Sequence, residues 1–333
     1  MGYDLRTRTA PGLSGPRATL HILSGPDGDE AEVWPALGFN VFRWFSGGAE
    51  RLYADPELFT GGRPTRSGVP ILFPFPNRIR EGRFAWNGVD YQLPANDPAQ
   101  RNAIHGFACR SAWRIVDQGA NAECAWLTGE FRASRDVENW SRALWPADHE
   151  MRLTVRLSRG TLRFEATVTN PDTVPLPFGL GYHPYFLAGP EARVECPAAA
   201  YWPLEANLPS DEPLPVDLAR NLNRPRPLGE LALDDILTRL PAKPPRVDGL
   251  IERGTVSLHG SAGASHLRVF ASPAFREMVV FTPPHRQAIC LEPYTCTTDA
   301  INLAAQGLDA GWQVLAPTKE SGATWSAVME FWL

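Results

Sequence analysis

Four segments set ionisable or amide side chains among apolar or rigid neighbours, an unusual local mix in a chain that otherwise reads as strands. Phe178-Gly179-Leu180-Gly181-Tyr182-His183-Pro184-Tyr185-Phe186 places one histidine among aromatic rings, with two glycines before it and a proline after. Imidazole, with an ordinary pKa of about 6.5, gives or takes a proton near neutrality. A histidine that merely fills a core has little need of so firmly held a backbone. Ala288-Ile289-Cys290-Leu291-Glu292-Pro293-Tyr294-Thr295 ends an apolar strand with a carboxylate beside a proline. Burying a carboxylate there costs energy unless it is hydrogen-bonded or has a task, and a salt bridge is the plainer alternative. Phe73-Pro74-Phe75-Pro76-Asn77-Arg78-Ile79 supplies an amide and a guanidinium, both donors to hydroxyl oxygens, after a stiff apolar stretch. Asn102-Ala103-Ile104-His105-Gly106-Phe107 sets a glycine beside a histidine, where backbone or ligand can approach closely. Read alone, these last two are more simply a loop arginine tying down carbonyls and a satisfied structural histidine.

Other chemistries lack their residues. The sequence has no Gly-x-Ser-x-Gly elbow, no Gly-x-Gly-x-x-Gly and no phosphate-loop lysine, which sets aside serine hydrolases and nucleotide enzymes. The histidines, His21, His105, His149, His183, His259, His266 and His285, form neither His-x-His nor His-Glu-x-x-His, so only a metal held by distant residues is left open. Cys109, Cys124, Cys196, Cys290 and Cys296 are scattered, without a Cys-x-x-Cys pair, and read as reduced thiols. Asn139-Trp140-Ser141 fits the glycosylation pattern, a match short enough to arise by chance. The 32 basic and 37 acidic residues leave a net charge of −5 without a run of like charges, which argues against nucleic acid as a partner. Lys243 and Lys319 are the only lysines, so a phosphate on the substrate gains no special support from composition. Apolar stretches such as Val69 to Pro76 fall far short of the roughly 20 residues of a membrane helix, and the opening residues mix arginine, proline and glycine. Neither a membrane span nor a signal peptide is expected, and the cytoplasm is the expected location.

The elements that must position these residues read as strands. With 32 prolines in 333 residues, spread throughout, long helices are interrupted everywhere. Phe84, Trp86, Val89, Tyr91 and Leu93 alternate with polar residues around Asn87-Gly88, the dipeptide suited to a two-residue hairpin turn. Met151, Leu153, Val155 and Leu157 alternate up to Ser158-Arg159-Gly160, and Leu162, Phe164, Ala166 and Val168 alternate back. Further strands are expected at Thr255 to Leu258, His266 to Phe270, Met278 to Phe281, Ala288 to Leu291 and Trp325 to Phe331, and short helices near Pro56 to Thr60, Pro98 to Ala103 and Leu231 to Leu240. The pattern predicts an all-β fold, a large antiparallel sandwich or barrel with a few short helices. No repeat or linker breaks the chain, which reads as a single domain over residues 1–333, with Pro197 to Pro245 wrapping the sheets as long loops.

Taken in order along residues 30 to 330, these segments resemble the aldose 1-epimerase (galactose mutarotase) family. The most specific matches are Gly181-Tyr182-His183-Pro184-Tyr185-Phe186 and Leu291-Glu292-Pro293 running on to Asp299-Ala300-Ile301-Asn302. Asn77-Arg78, Asn102 to Gly106 and Leu233-Asp234-Asp235-Ile236-Leu237 support them. The resemblance implies a galactose mutarotase-like supersandwich, a large β-sandwich with an open sugar cleft. It implies that His183 is the general acid and Glu292 the general base, and that Arg78 and His105 hold sugar hydroxyls and the ring oxygen. Asp234 would bind hydroxyls, with Asp235 the alternative by a shift of one, and Asn77 is a further binding candidate. Met278-Val279-Val280 stands where galactose-specific members carry a sugar-binding glutamine, and Tyr294-Thr295 where many have another. The local pattern is similar to the bacterial aldose 1-epimerase-like branch, which leaves the preferred aldose open.

The activity so implied is that of an isomerase which exchanges the α and β anomers of a free aldose. Ring opening needs the C1 hydroxyl to lose a proton while the ring oxygen gains one, so an ionised Glu292 and a protonated His183, on either side of the pyranose, would suffice without metal or cofactor. The expected partner is a small-molecule sugar, with monomer and homodimer both open. Three alternatives stand beside this. They are a sugar-binding protein without turnover, an epimerase for a phosphorylated hexose, and a metal-dependent sugar enzyme with His105, His183 and Glu292 as ligands.

Overall fold

A computed structural model describes residues 2–61, 63–260, 263–317 and 323–333, so Lys319 and the side chain of His259 lie outside the described residues. The hairpins form where alternation and turn chemistry agree. Arg83–Trp86 pairs with Val89–Gln92, and Asn87 and Gly88 between them take φ of 49° and 76°, the left-handed backbone of a tight hairpin turn. Glu150–Ser158 pairs with Thr161–Thr169 in full register, from Glu150 opposite Thr169 to Ser158 opposite Thr161. Met151, Leu153, Val155 and Leu157 are all buried, as are Leu162, Phe164, Ala166 and Val168 facing them.

That hairpin sits within a nine-stranded sheet. Its order is Arg114–Ala120, Ala125–Arg132, Glu150–Ser158, Thr161–Thr169, Thr324–Trp332, Gly263–Ala271, Ile251–Gly260, Arg193–Glu195 and Arg226–Pro227. An eight-stranded sheet runs Leu214–Pro215, Ala200–Trp202, Asp234–Thr238, Glu277–Phe281, Ala288–Tyr294, Gly181–Tyr182 and Ile71–Leu72, with Tyr185–Leu187 also paired to Ala288–Tyr294. A five-stranded meander covers Asp4–Thr9 to Ala49–Glu50. All ladders between these strands are antiparallel. The core lies between the sheets: Phe164 of the larger sheet meets Tyr182 at 5.8 Å, Phe331 meets Phe186 at 4.8 Å, and Trp44 of the meander reaches Phe331 at 6.1 Å. This is a large antiparallel β-sandwich, as the alternation predicts.

The expected helices do not form. Pro56 to Thr60 is a run of turns, opened by the Asp55 carboxylate accepting the Glu57 amide at 2.9 Å. In Pro98 to Ala103 the Asp97 carboxylate takes the amides of Arg101 and Asn102 at 2.8 and 3.2 Å, bonds that a helix would have needed elsewhere. Leu231 to Leu240 contains the strand Asp234–Thr238, paired on both edges with Ala200–Trp202 and Glu277–Phe281, and tertiary pairing overrides its helical spacing. The α-helices that form among the described residues, Ala133–Asp136 and Ala300–Ala305, lie where the sequence pattern predicts none. Pro197 to Pro245 is also more ordered than a wrap of loops, since three of its short strands enter the eight-stranded sheet. Among the described residues no helix is long and apolar enough to cross a membrane.

Candidate active site

Strand parity builds one wall of a cleft. Ala288–Tyr294 is buried along its whole length, with Ile289 and Leu291 in the inter-sheet core and Cys290, Glu292 and Tyr294 on the opposite face. Register carries that face across the sheet: Val279 lies opposite Glu292, Phe281 opposite Cys290, and Asp234 opposite Phe281. Asp235 therefore points to the other side, where Arg220 Nε donates to its Oδ1 at 2.6 Å. Asp234 alone of the two lines the cleft, a space of about 300 Å³ whose walls include every expected site residue: Asn77, Arg78, His105, His183, Asp234 and Glu292.

His183 and Glu292 are in direct reach of one another. His183 Nε2 lies 3.4 Å from Glu292 Oε1, and both residues are nearly fully buried. The imidazole stacks on the Tyr185 ring at 4.6 Å, and the Tyr185 hydroxyl, 3.5 Å from Nε2, donates to the Thr65 carbonyl at 2.7 Å. Tyr294 donates its hydroxyl to Glu292 Oε2 at 2.6 Å, which leaves Oε1 turned to His183 and the cleft. Burial pushes Glu292 well above the usual carboxylate range, with the Tyr294 hydrogen bond opposing it and the Asp234 charge adding to it. Burial pushes His183 down to about 3, offset in part by a hydrogen bond to its own backbone. Both directions favour the uncharged forms, which runs against the ionised carboxylate and imidazolium expected from sequence. The two groups also stand side by side, not on either side of the ring.

The opposite wall comes from two short strands, Arg78–Ile79 and Ala103–Ile104, paired antiparallel. His105 Nδ1 accepts the Asn77 amide at 3.3 Å, and the His105 amide donates to the Asn77 carbonyl at 2.9 Å. With Nδ1 an acceptor, the neutral ring carries its proton on Nε2, and it stays neutral because burial, then the nearby His183, Arg78 and Arg110, hold its pKa well below 6.5. Gly106 is forced: at φ 62° its backbone crosses the Phe73 carbonyl, and an added Cβ would lie 2.3 Å from that oxygen. Arg78 Nη1 donates to Asn77 Oδ1 at 3.0 Å and its Nε lies 3.6 Å from Asp97 Oδ2. Its backbone is clamped at both polar atoms, the amide on Thr298 Oγ1 at 2.9 Å and the carbonyl on the Asp299 amide at 2.7 Å. Among the described residues the cluster able to hold a metal ion is His183, Cys290 and Glu292, with ligand atoms within 4.8 Å of one another. His105, expected in such a set, is not part of it.

The sequence profile described as Aldose 1-epimerase matches residues 59–332. The chain belongs to that family. Among solved structures, a galactose mutarotase-like protein from Clostridium acetobutylicum superposes with a TM-score of 0.81 at 21% identity, covering 99% of this chain and 98% of that one. Galactose 1-epimerase from Lactobacillus acidophilus NCFM gives 0.76 at 14% identity, again over 99% and 98% of the two chains. The likeness is one of fold. In sequence, the uncharacterised protein YphB of Escherichia coli K12 is 33% identical over 160 residues, 47% of this chain and half of that protein.

Within this aldose 1-epimerase family member, several residues support the cleft in ways that the sequence pattern does not reveal. Asp97 holds the loop that backs Arg78, and Thr298 and Asp299 brace the Arg78 backbone, with Asp299 Oδ1 also accepting the Arg80 amide at 3.0 Å. Asp299-Ala300-Ile301-Asn302 was visible as a motif; its bracing role was not. Tyr185 and Tyr294 were visible as aromatic neighbours, and their period-two spacing from His183 and Glu292 is the signal that places them on the same faces.

Proposed function

We propose that this protein interconverts the α and β anomers of an aldose, with His183 and Glu292 as the two proton carriers. The supporting observation is the 3.4 Å contact between His183 Nε2 and Glu292 Oε1 in a cleft also lined by Asn77, Arg78, His105 and Asp234. Glu292 Oε1 takes the proton of the C1 hydroxyl as His183 Nε2 delivers one to the ring oxygen. The bond from C1 to the ring oxygen breaks and the C1 carbonyl forms. Rotation about C1–C2 presents the other carbonyl face, and the reverse transfers close the ring.

One proton passes from His183 to Glu292 through the sugar, so the open-chain stage leaves an uncharged pair, the form that burial favours. The closed-ring stage needs the charged pair, and direct transfer across 3.4 Å lets the emptied site return to it. Arg78 and the Nε2–H of His105 favour the negative charge that develops as the ring bond breaks, and Asn77 and Asp234 fix the hydroxyls. We infer further that the chain folds as one domain, since a single apolar cluster joins residues of all three large sheets.

Exchange spectroscopy of the anomeric protons tests the reading over galactose, glucose, other hexoses and pentoses. Each general acid or base is worth about 10² to 10⁴ in rate, so His183→Ala and Glu292→Ala should each cut turnover at least about 10²-fold with the fold intact. Near-normal exchange in either folded variant would refute the assignment. Sugar binding without faster exchange in the unaltered protein would favour a binding protein.

A further inference from the structure

The proposed reaction uses two of three ligating side chains that meet at the cleft, and the third has no part in it. Gly181 stands opposite Tyr294 and Tyr185 opposite Cys290, which brings His183, midway between them, level with Glu292. Cys290 and Glu292 share one face of their strand. His183 Nε2, Cys290 Sγ and Glu292 Oε1 accordingly lie within 4.8 Å of one another, and all three residues are buried. Among the described residues no other three histidine, cysteine or carboxylate side chains come so close. Glu292 Oε2 is taken by the Tyr294 hydroxyl, whereas Oε1 is buried without a hydrogen-bond partner. His183 and Glu292 line the cleft and Cys290 does not, so the open side of the trio faces the cleft.

A tetrahedral zinc ion, with bonds of about 2.0 Å to nitrogen and oxygen and about 2.3 Å to sulfur, holds its ligand atoms roughly 3.3–3.6 Å apart. The imidazole and carboxylate atoms already have that spacing, at 3.4 Å, and the sulfur reaches it within about 1 Å of side-chain movement. Net charge does not oppose the exchange. Burial, with the Glu292 and Asp234 charges, keeps the Cys290 thiol protonated, and the His183–Glu292 pair holds a second proton. A divalent cation that displaces both leaves the buried trio with the net charge it had. One nitrogen, one sulfur and one oxygen select zinc-type ions over magnesium or calcium, which take oxygen ligands. Arg63, Arg66, Arg78 and Arg110 line the same cleft and repel a cation, so the affinity has to come from the three bonds and not from the field. We infer that His183, Cys290 and Glu292 form an inhibitory zinc site. The inference rests on the mutarotase reading, because the ion stops turnover by occupying Nε2 and Oε1, the two atoms that move the protons. The two displaced protons pass to solvent, no oxidation state changes, and a chelator reverses the step.

Zinc, cobalt(II) and magnesium salts are titrated into the full chain, with anomer exchange and the visible spectrum as readouts. Zinc should silence exchange at one ion per chain, in competition with the sugar, and a chelator should restore the full rate, while magnesium has no effect. Cobalt should give the intense thiolate-to-metal absorption of a tetrahedral, sulfur-ligated site. Cys290→Ser and Cys290→Ala each remove one ligand, which should raise the zinc concentration for half inhibition roughly tenfold or more and abolish the cobalt band. Should neither variant fold, the cobalt spectrum of the unaltered protein decides, and the absence of a thiolate band overturns the site. Undiminished exchange in excess zinc overturns the inference and leaves the mutarotase reading standing. Equal zinc sensitivity in the folded Cys290 variants overturns this ligand set. A rate that falls on chelation and returns with zinc overturns the inhibitory role, since the metal is then required. No acceleration of any aldose, with chelator present, overturns both the inhibition and the mutarotase reading.

Discussion

The number of protons on His183 and Glu292 decides how turnover depends on pH. Because burial lowers one group and raises the other, the pair holds one proton across a wide range. A second proton must enter His183, displaced to about 3, and the last must leave Glu292, displaced well above 4.5. The profile of kcat/KM should be flat through neutrality, with its acid limb well below 6.5; a bend near the ordinary histidine value would show that His183 titrates as a solvent-exposed group does. Tyr294→Phe removes the hydrogen bond that favours ionised Glu292 and leaves a buried oxygen unpaired. Turnover should fall about tenfold or more, for about 1–3 kcal/mol of lost interaction, with an unchanged circular dichroism spectrum. An unaltered rate in the folded variant would remove Tyr294 from the mechanism. Dialysis against a chelator should leave the rate unchanged, and a loss restored by zinc would move His183, Cys290 and Glu292 into the role of ligands.

At the scale of elements, the site depends on strands crossing with little room. An added Cβ at Gly181 would meet Tyr294 Cδ1 at 2.5 Å and Pro76 Cβ at 2.8 Å, one neighbour supporting Glu292 and the other leading into Asn77. Gly181→Ala should cost about 1–3 kcal/mol in stability and displace Tyr294, so the thermal midpoint and the turnover number fall together. A variant with full activity and an unchanged midpoint would mean that Tyr294 moves aside freely. How far this architecture was legible follows the same local logic. The hairpin at Asn87-Gly88 and the one around Arg159-Gly160 could be read because alternation and turn residues agree over a few positions. Asp234–Thr238 could not, because its strand character comes from partners far away in the chain. Once the strand is known, its parity separates Asp234 from Asp235, a choice that spacing alone left open. The histidine and glutamate could be picked out from their unusual neighbours. Their side-by-side placement could not, since it depends on how Gly181–Tyr182 and Ala288–Tyr294 pair.

For the whole molecule, the sheet that carries the cleft also buries a carboxyl group that the proposed reaction does not use. Glu277 is fully buried opposite Tyr294, and burial pushes its pKa up to about 8, with Thr238, Arg276 and Trp202 offsetting part of the effect. The folded protein therefore keeps a proton on Glu277 between about 4.5, where an unfolded chain releases it, and about 8. Over that window the folded state binds more protons than the unfolded state, so this group makes stability decline as pH rises, by up to about 1.4 kcal/mol per pH unit. His149, also buried and lowered to about 4, acts with the opposite sign: its folded state refuses a proton that the unfolded chain accepts below about 6.5, so stability drops on acidification. The two slopes oppose each other below 6.5, and a stability curve for the protein alone would not separate them. Glu277→Gln keeps the shape and hydrogen-bonding capacity while removing the titration, so the difference between variant and parent isolates one group. In urea titrations the variant should gain on the parent steadily from pH 5 to pH 8, ending more stable by on the order of a few kcal/mol. A difference that stays constant with pH would show that Glu277 is already ionised in the folded protein, held by Arg276 instead of by a proton.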